Sequence, residues 1–167
     1  TGATDYKQDS AGGVLTGNNQ NKIGIWVKSQ NTATENPTVK LQGPLTLTGF
    51  VSHAVYVENN GNVTANNVTF TKNTSNSNTG NWPDVSRGAA ISFSSGGKLE
   101  ADSCIFSNNS TTGYGGAVFM GSPQATATLT GCTFTDNTSH YGGAASLWVR
   151  NATLINNNFA NNKVTYG

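Results

Sequence analysis

Apolar positions along this chain recur at every second residue, in bursts too short for a helix face. Ile23, Ile25 and Val27 alternate with Gly24 and Trp26, and Val55 and Val57 flank Tyr56. Period two predicts β-strands, because successive side chains of a strand point to opposite faces. The same segments are rich in Thr, Val, Asn and Gly, which are poor helix formers. In Cys104-Ile105-Phe106 and Cys132-Thr133-Phe134 the first and third residues share a face. The third is always Phe (Phe70, Phe106, Phe134, Phe159), whereas the middle one varies through Thr69, Ile105, Thr133 and Asn158. Phe is therefore expected to face inward.

The Phe residues belong to an internal repeat. Four Phe-x-x-Asn units end at Asn73, Asn109, Asn137 and Asn162, and runs of small residues follow at Gly88-Ala89-Ala90, Gly115-Gly116-Ala117 and Gly142-Gly143-Ala144. Alignment on Gly24, Ala54, Ala89, Ala117 and Ala144 gives spacings of 30, 35, 28 and 27 residues. That period is one turn of a solenoid. The expected fold is all-β, a right-handed parallel β-helix (β-solenoid) of about five coils with three short strands each. Asn three positions after Phe suits a corner, since it tolerates left-handed backbone angles. Stacked at about 4.8 Å, such Asn side chains can also hydrogen-bond along the axis. The glycine pairs suit a further corner, where a Cβ would clash.

Residues 1–167 read as one β-helix segment, with an irregular N-terminal lead-in over 1–22. The repeat breaks off after Phe159 to Gly167, just where another Gly-Ala start is due, so a fragment of a longer protein with open coil ends is expected. Phe70 to Ala89 spans 19 positions where Phe106 to Ala117 spans 11, so a loop is inserted over 75–87, carrying Trp82, Pro83 and Asp84.

The strand after each small residue splits into two sets. Ile25, Val55, Ala90, Val118 and Ala145, with Val27, Val57, Ser92, Met120 and Leu147, carry no charge and are assigned to the core. Trp26, Tyr56, Ile91, Phe119 and Ser146, with Lys28, Glu58, Phe93, Gly121 and Trp148, then form an outer, aromatic-bearing stripe. The candidate partner-binding residues are Trp26, Tyr56, Phe93, Phe119 and Trp148 on that stripe, and Trp82 and Asp84 in the loop. A reading in which missing flanks cover the stripe, or in which a shifted register puts its rings in the core, stands beside this one.

Charge changes the picture by exclusion. Only 10% of residues are charged and the net charge is +1, which gives no field to gather nucleic acid or an anionic membrane. No apolar run is long enough to span a bilayer. Hydrophobic residues make up 35% of the chain, so the core must be thin and repetitive. Glu100 and Asp102 are the one close acidic pair; they read as a solvated strand face, and no catalytic residue, cofactor or metal ligand is assigned. His53 and His140 fall on different coils. Cys104 and Cys132 share one position a coil apart and read as buried free thiols, a strained disulfide being the alternative.

The repeated Phe-x-x-Asn units with Gly115-Gly116-Ala117-Val118 and Gly142-Gly143-Ala144 resemble the polymorphic outer membrane protein repeats of β-helical autotransporter passengers and adhesin-like proteins. The resemblance covers roughly residues 54–167. It implies an exported, outer-membrane or cell-surface virulence protein that attaches to a host-cell protein or glycan and is not an enzyme. The alternative is a fragment of a β-helical polysaccharide lyase or hydrolase. An ice-binding solenoid is a lesser one, since the outward threonines Thr69, Thr71, Thr133 and Thr135 are interrupted by Ile105 and Ser107. Self-association through open coil ends is a further expectation.

Overall fold

The computed structural model describes residues 4–7, 13–17, 23–28, 36–76 and 86–165, with backbone alone for 4–7. The strands are β1 (Thr4–Lys7), β2 (Gly13–Thr16), β3 (Ile23–Val27), β4 (Thr38–Thr48), β5 (His53–Val57), β6 (Asn62–Thr71), β7 (Thr74–Ser75), β8 (Ile91–Phe93) and β9 (Lys98–Asp102). They continue as β10 (Ile105–Ser107), β11 (Ser110–Thr111), β12 (Val118–Thr130), β13 (Thr133–Thr135), β14 (Thr138–Ser139), β15 (Ala145–Ile155), β16 (Asn158–Ala160) and β17 (Lys163–Val164). There is no helix among the described residues.

These strands stack in parallel as a β-solenoid of about five turns. Wall A comprises β1, residues 38–42, 62–66, β9, 126–130 and 151–155. Wall B comprises β2, residues 45–48, 68–71, β10, β13 and β16. Wall C comprises β3, β5, β8 and the first halves of β12 and β15. A short fourth row, β7, β11, β14 and β17, joins wall B to wall C. The stretch 1–22, expected to be irregular, contributes β1 and β2. Its strands hydrogen-bond to β4 although they lack the Phe-x-x-Asn signature.

The inward Phe column is continuous. Leu47, Phe70, Phe106, Phe134 and Phe159 occupy one register line. Successive Phe rings lie 5.0, 4.6 and 4.8 Å apart and within 8° of parallel. Phe70, Phe106 and Phe134 are fully buried, and each such ring contributes about 1.5–3 kcal/mol by leaving water.

Beside this column the ladder residues Asn73, Asn109 and Asn137 are also fully buried. Asn109 Nδ2 donates to Phe70 O on one rung and to Asn137 Oδ1 on the next, both at 3.0 Å. Its own Oδ1 accepts from the backbone N and Nδ2 of Asn73. The expected amide ladder is present, but its Asn residues are not the left-handed ones. Positive φ falls one position earlier, at Lys72, Asn108, Asp136 and Asn161. The ladder Asn must aim its amide inward, so the preceding, outward-facing residue absorbs the bend. A second left-handed corner, five residues upstream, runs through Asn67, Ser103, Gly131 and Asn156.

Glycine serves the corner before wall C. Gly88, Gly115 and Gly142 all have positive φ, and a Cβ on Gly116 would run into the Gly143 carbonyl. This corner corrects the alignment on Ala89. Gly88 takes the place of Gly115, so Ala90 is the residue hydrogen-bonded to Ala117 O, at 2.9 Å. Ile91 then pairs with Val55 and Val118, and Phe93 with Val57 and Met120. Ile91 and Phe93 therefore face the core, and Ser92 faces outward with Tyr56 and Phe119.

Candidate functional site

The outward row of wall C is Trp26, Tyr56, Ser92, Phe119 and Ser146. Two residues further along each strand, Trp148 pairs with Gly121. At one end of the wall, Trp26 is 55% exposed, with its ring centroid 6.3 Å from that of Tyr56. Lys28 Nζ lies 5.1 Å from the Trp26 ring and 3.7 Å from Glu58 Oε2. The cation thus bridges an aromatic face and a carboxylate. At the other end Trp148 is 67% exposed.

Between them the surface is built from the Gly corner. Arg87, Tyr114 and Tyr141 bridge to one another in parallel just before Gly88, Gly115 and Gly142. The Arg87 guanidinium sits 4.9 Å from the Phe119 ring centroid. Tyr114 tilts against Phe119 at 6.1 Å and stacks on Tyr141 at 4.8 Å. Burial lowers the Arg87 pKa, while the phenols of Tyr56 and Tyr114 oppose the shift. His53 stacks on Tyr56 at 5.0 Å and places Nδ1 3.1 Å from Gly88 O. Burial pushes its pKa down to about 4, so it is neutral at physiological pH.

Of the sequence-derived candidates, the structure brings Trp26, Tyr56, Phe119 and Trp148 to one wall. Phe119 points outward, yet it is only 7% exposed because Arg87 and Tyr114 cover it. Its ring lies against Gly121, where a Cβ would collide with it. Phe119 therefore supports the surface and does not present itself to a partner. Phe93 is a core residue, for the reason of register given above, and is no contact residue. Trp82 and Asp84 lie outside the described residues. Arg87, Tyr114, Tyr141 and His53 were not singled out for binding, although the recurrence of Tyr114-Gly115-Gly116-Ala117 and Tyr141-Gly142-Gly143-Ala144 marks two of them.

Wall A carries a different surface. A shallow groove of about 290 Å³ is lined by Thr64, Asn66, Glu100, Asp102, Thr128 and Thr130. Asp102 accepts hydrogen bonds from Asn66 Nδ2 at 3.2 Å and Ser103 Oγ at 3.0 Å, and Gln42 donates to Asn66 Oδ1 at 3.2 Å. Glu100 pairs with Lys98 at 2.6 Å. Among the described residues no three His, Cys, Asp or Glu side chains gather as metal ligands. Cys104 and Cys132 are buried and not joined by a disulfide. Each thiol donates within its corner, to Asp102 O at 3.3 Å and Thr130 O at 3.4 Å. The adjoining Cys132 thiol and burial push the Cys104 pKa up.

A family model described as a right-handed beta helix region matches residues 53–166. The chain belongs to that family. Within this β-helix, the match takes in the four Phe-x-x-Asn units and the Gly corners, together with the groove of wall A and the Trp148 end of wall C. No curated protein and no solved structure matches the chain.

Proposed function

We propose that this β-helix is the binding scaffold of an exported, adhesin-type passenger, presenting wall C to a glycan or protein on a host-cell surface without catalysis. The reading is carried by Trp26 and Trp148, two exposed indoles held on one wall. They stand four rungs apart, or about 19 Å at the spacing of stacked strands. Indole faces supply large contact area at low conformational cost and stack on sugar rings or apolar side chains. Around them Lys28, Glu58 and Tyr141 offer polar contacts on strands and corners hydrogen-bonded to their neighbouring rungs. Surface display rests on the resemblance to autotransporter passengers. The test is binding to host cells and to a glycan array by Trp26→Ala and Trp148→Ala. The expected result is an affinity loss of about tenfold or more per site with an unchanged melting curve. Unaltered binding by both variants would overturn the assignment of this wall.

A second reading, a fragment of a polysaccharide lyase or hydrolase, is favoured by the wall A groove, where Glu100 and Asp102 face one channel. Cleavage of an acidic polysaccharide by this chain, abolished in Asp102→Asn, would support that reading over the first.

A further inference from the structure

Wall B, whose inward positions carry the Phe column, turns two lines of side chains outward. One runs Thr16, Thr48, Thr71, Ser107 and Thr135, through β2, β4, β6, β10 and β13. Its neighbour runs Val14, Thr46, Thr69, Ile105 and Thr133 on the same strands. Thr16, Thr46 and Thr48 lengthen the row of threonines read beside the Phe-x-x-Asn units, because the strands that carry them lack that signature. Ser107 keeps the hydroxyl and donates it to Thr71 Oγ1 at 3.0 Å. Ile105 is therefore the one interruption between β4 and β13. The β16 rung, with Asn158 and Ala160, ends the array.

Three properties set this face apart. No outward position of wall B carries a charge, whereas wall A carries Lys40, Lys98, Glu100 and Asp102, and wall C is bordered by Lys28 and Glu58. It bears no aromatic ring on which a sugar would stack. The corners on either side are one or two residues long on the β6, β10 and β13 rungs, so no loop there overhangs it. Such a face cannot enclose a discrete ligand, and each hydroxyl by itself gains little by exchanging bulk water for another partner. It gains only from an uncharged partner that repeats at its own spacing, so that many weak bonds form at once on positions already fixed.

We propose that wall B binds ice. Its side chains recur at about 4.8 Å along the axis, and the two lines stand about 6.8 Å apart, two residues along a strand. Water oxygens on the prism faces of hexagonal ice lie in flat rows with closely similar repeats in both directions. Threonine suits such a lattice, because a single stiff torsion fixes both its hydroxyl and its methyl group. Val14 and Ile105 lack the hydroxyl but keep the β-branched methyl, so the apolar half of the pattern continues through them. The face is thus complementary to an uncharged crystal of water in charge as well as in repeat. It shares no residue with wall C, and its test is independent of the reading of Trp26 and Trp148.

The experiment is ice growth in the presence of the full 167-residue chain, followed by nanolitre osmometry over a concentration series. The expected result is faceted crystals and a gap between melting and freezing points that widens with concentration. Thr71→Lys and Thr133→Lys, each with a native circular dichroism melt, lose most of the gap, because an ammonium group holds the face off a flat crystal. Thr153→Lys, on the outward row of wall A, keeps it. Ile105→Thr, which supplies the missing hydroxyl, widens it. Crystals that grow as they do in buffer, up to millimolar protein, overturn the inference. So does a gap that Thr153→Lys reduces as much as Thr71→Lys. Retention of the chain on insoluble cellulose or chitin without any gap also overturns it, and assigns the wall to a crystalline polysaccharide.

Discussion

A single oxygen, Oδ1 of Asn137, accepts both the backbone N–H and the side-chain amide of Asn109, each at 3.0 Å. The same arrangement joins Asn73 to Asn109 and Asn137 to Asn162. Each buried amide is thereby saturated, with both Nδ2 protons and the Oδ1 in use. Asn109→Ala strands two donors of Asn73 and the Phe70 carbonyl in a dry interior. Urea denaturation should register a loss of about 3–5 kcal/mol, since each buried polar group left unmade costs about 1–3. Asn108→Ala alters only the exposed left-handed corner and should cost about 1 kcal/mol.

The Phe pile makes the cost of a cavity depend on the rung. Phe106 is in ring contact with Phe70 and Phe134, whereas among the described residues Phe159 stacks on the ring of Phe134 alone. Phe106→Ala should therefore destabilise by about 3–5 kcal/mol, and Phe159→Ala by well under half of that. Equal losses in calorimetry would mean that the last rung is packed as tightly as the middle.

Stability should weaken in acid through His53. Its pKa is about 4 in the folded chain and about 6.5 when unfolded, so between those values the unfolded chain binds the extra proton. The stabilisation is complete above about pH 6.5 and is lost as the pH falls toward 4, by up to about 3 kcal/mol. Thermal melts across that range should drop steeply for the native chain and more gently for His53→Gln.

Corner glycines should separate into two kinds. At Gly116 an added Cβ meets the Gly143 carbonyl, so Gly116→Ala should cost about 2 kcal/mol or more in denaturant titrations. At Gly131 a Cβ would make only ordinary contacts, the nearest being Ser103 Oγ at 3.7 Å, so the positive φ alone matters. Gly131→Ala should cost about 1 kcal/mol, and Gly131→Asn, the residue found at positions 67 and 156 of the same corner, little.

The thiols provide a further check. Cys104 and Cys132 are buried and unbonded, so an alkylating reagent should modify neither in the native chain and both in denaturant. Native mass lower by two hydrogens would instead reveal a disulfide.

Most of the architecture was legible because neighbouring rungs demand the same residue at the same place. Phe over Phe and Asn over Asn leave a visible column. Where the demand is only for a backbone angle, the column is written in different letters. Lys72, Asn108, Asp136 and Asn161 share a conformation but not a side chain, and the bend was read onto the Asn beside them. The Ala89 register slipped because two alanines follow Gly88 and either satisfies the need for a small residue. One position of slip exchanged Phe93 for Ser92 and turned a core ring into an apparent contact. The covering of Phe119 was hidden for another reason: Arg87 and Tyr114 reach it across the corner from positions that strand alternation does not connect.

Eleven residues separate Ser75 from Arg87, where two separate Thr111 from Tyr114, yet Ser75 still pairs with Thr111 and Arg87 with Tyr114. The stack on either side keeps its alignment despite the extra length. This corner is therefore a natural graft point. Peptides of quite different length and chemistry can be spliced there while the frame that carries them stays unchanged, and diversification of what the molecule touches need not put its folding at risk.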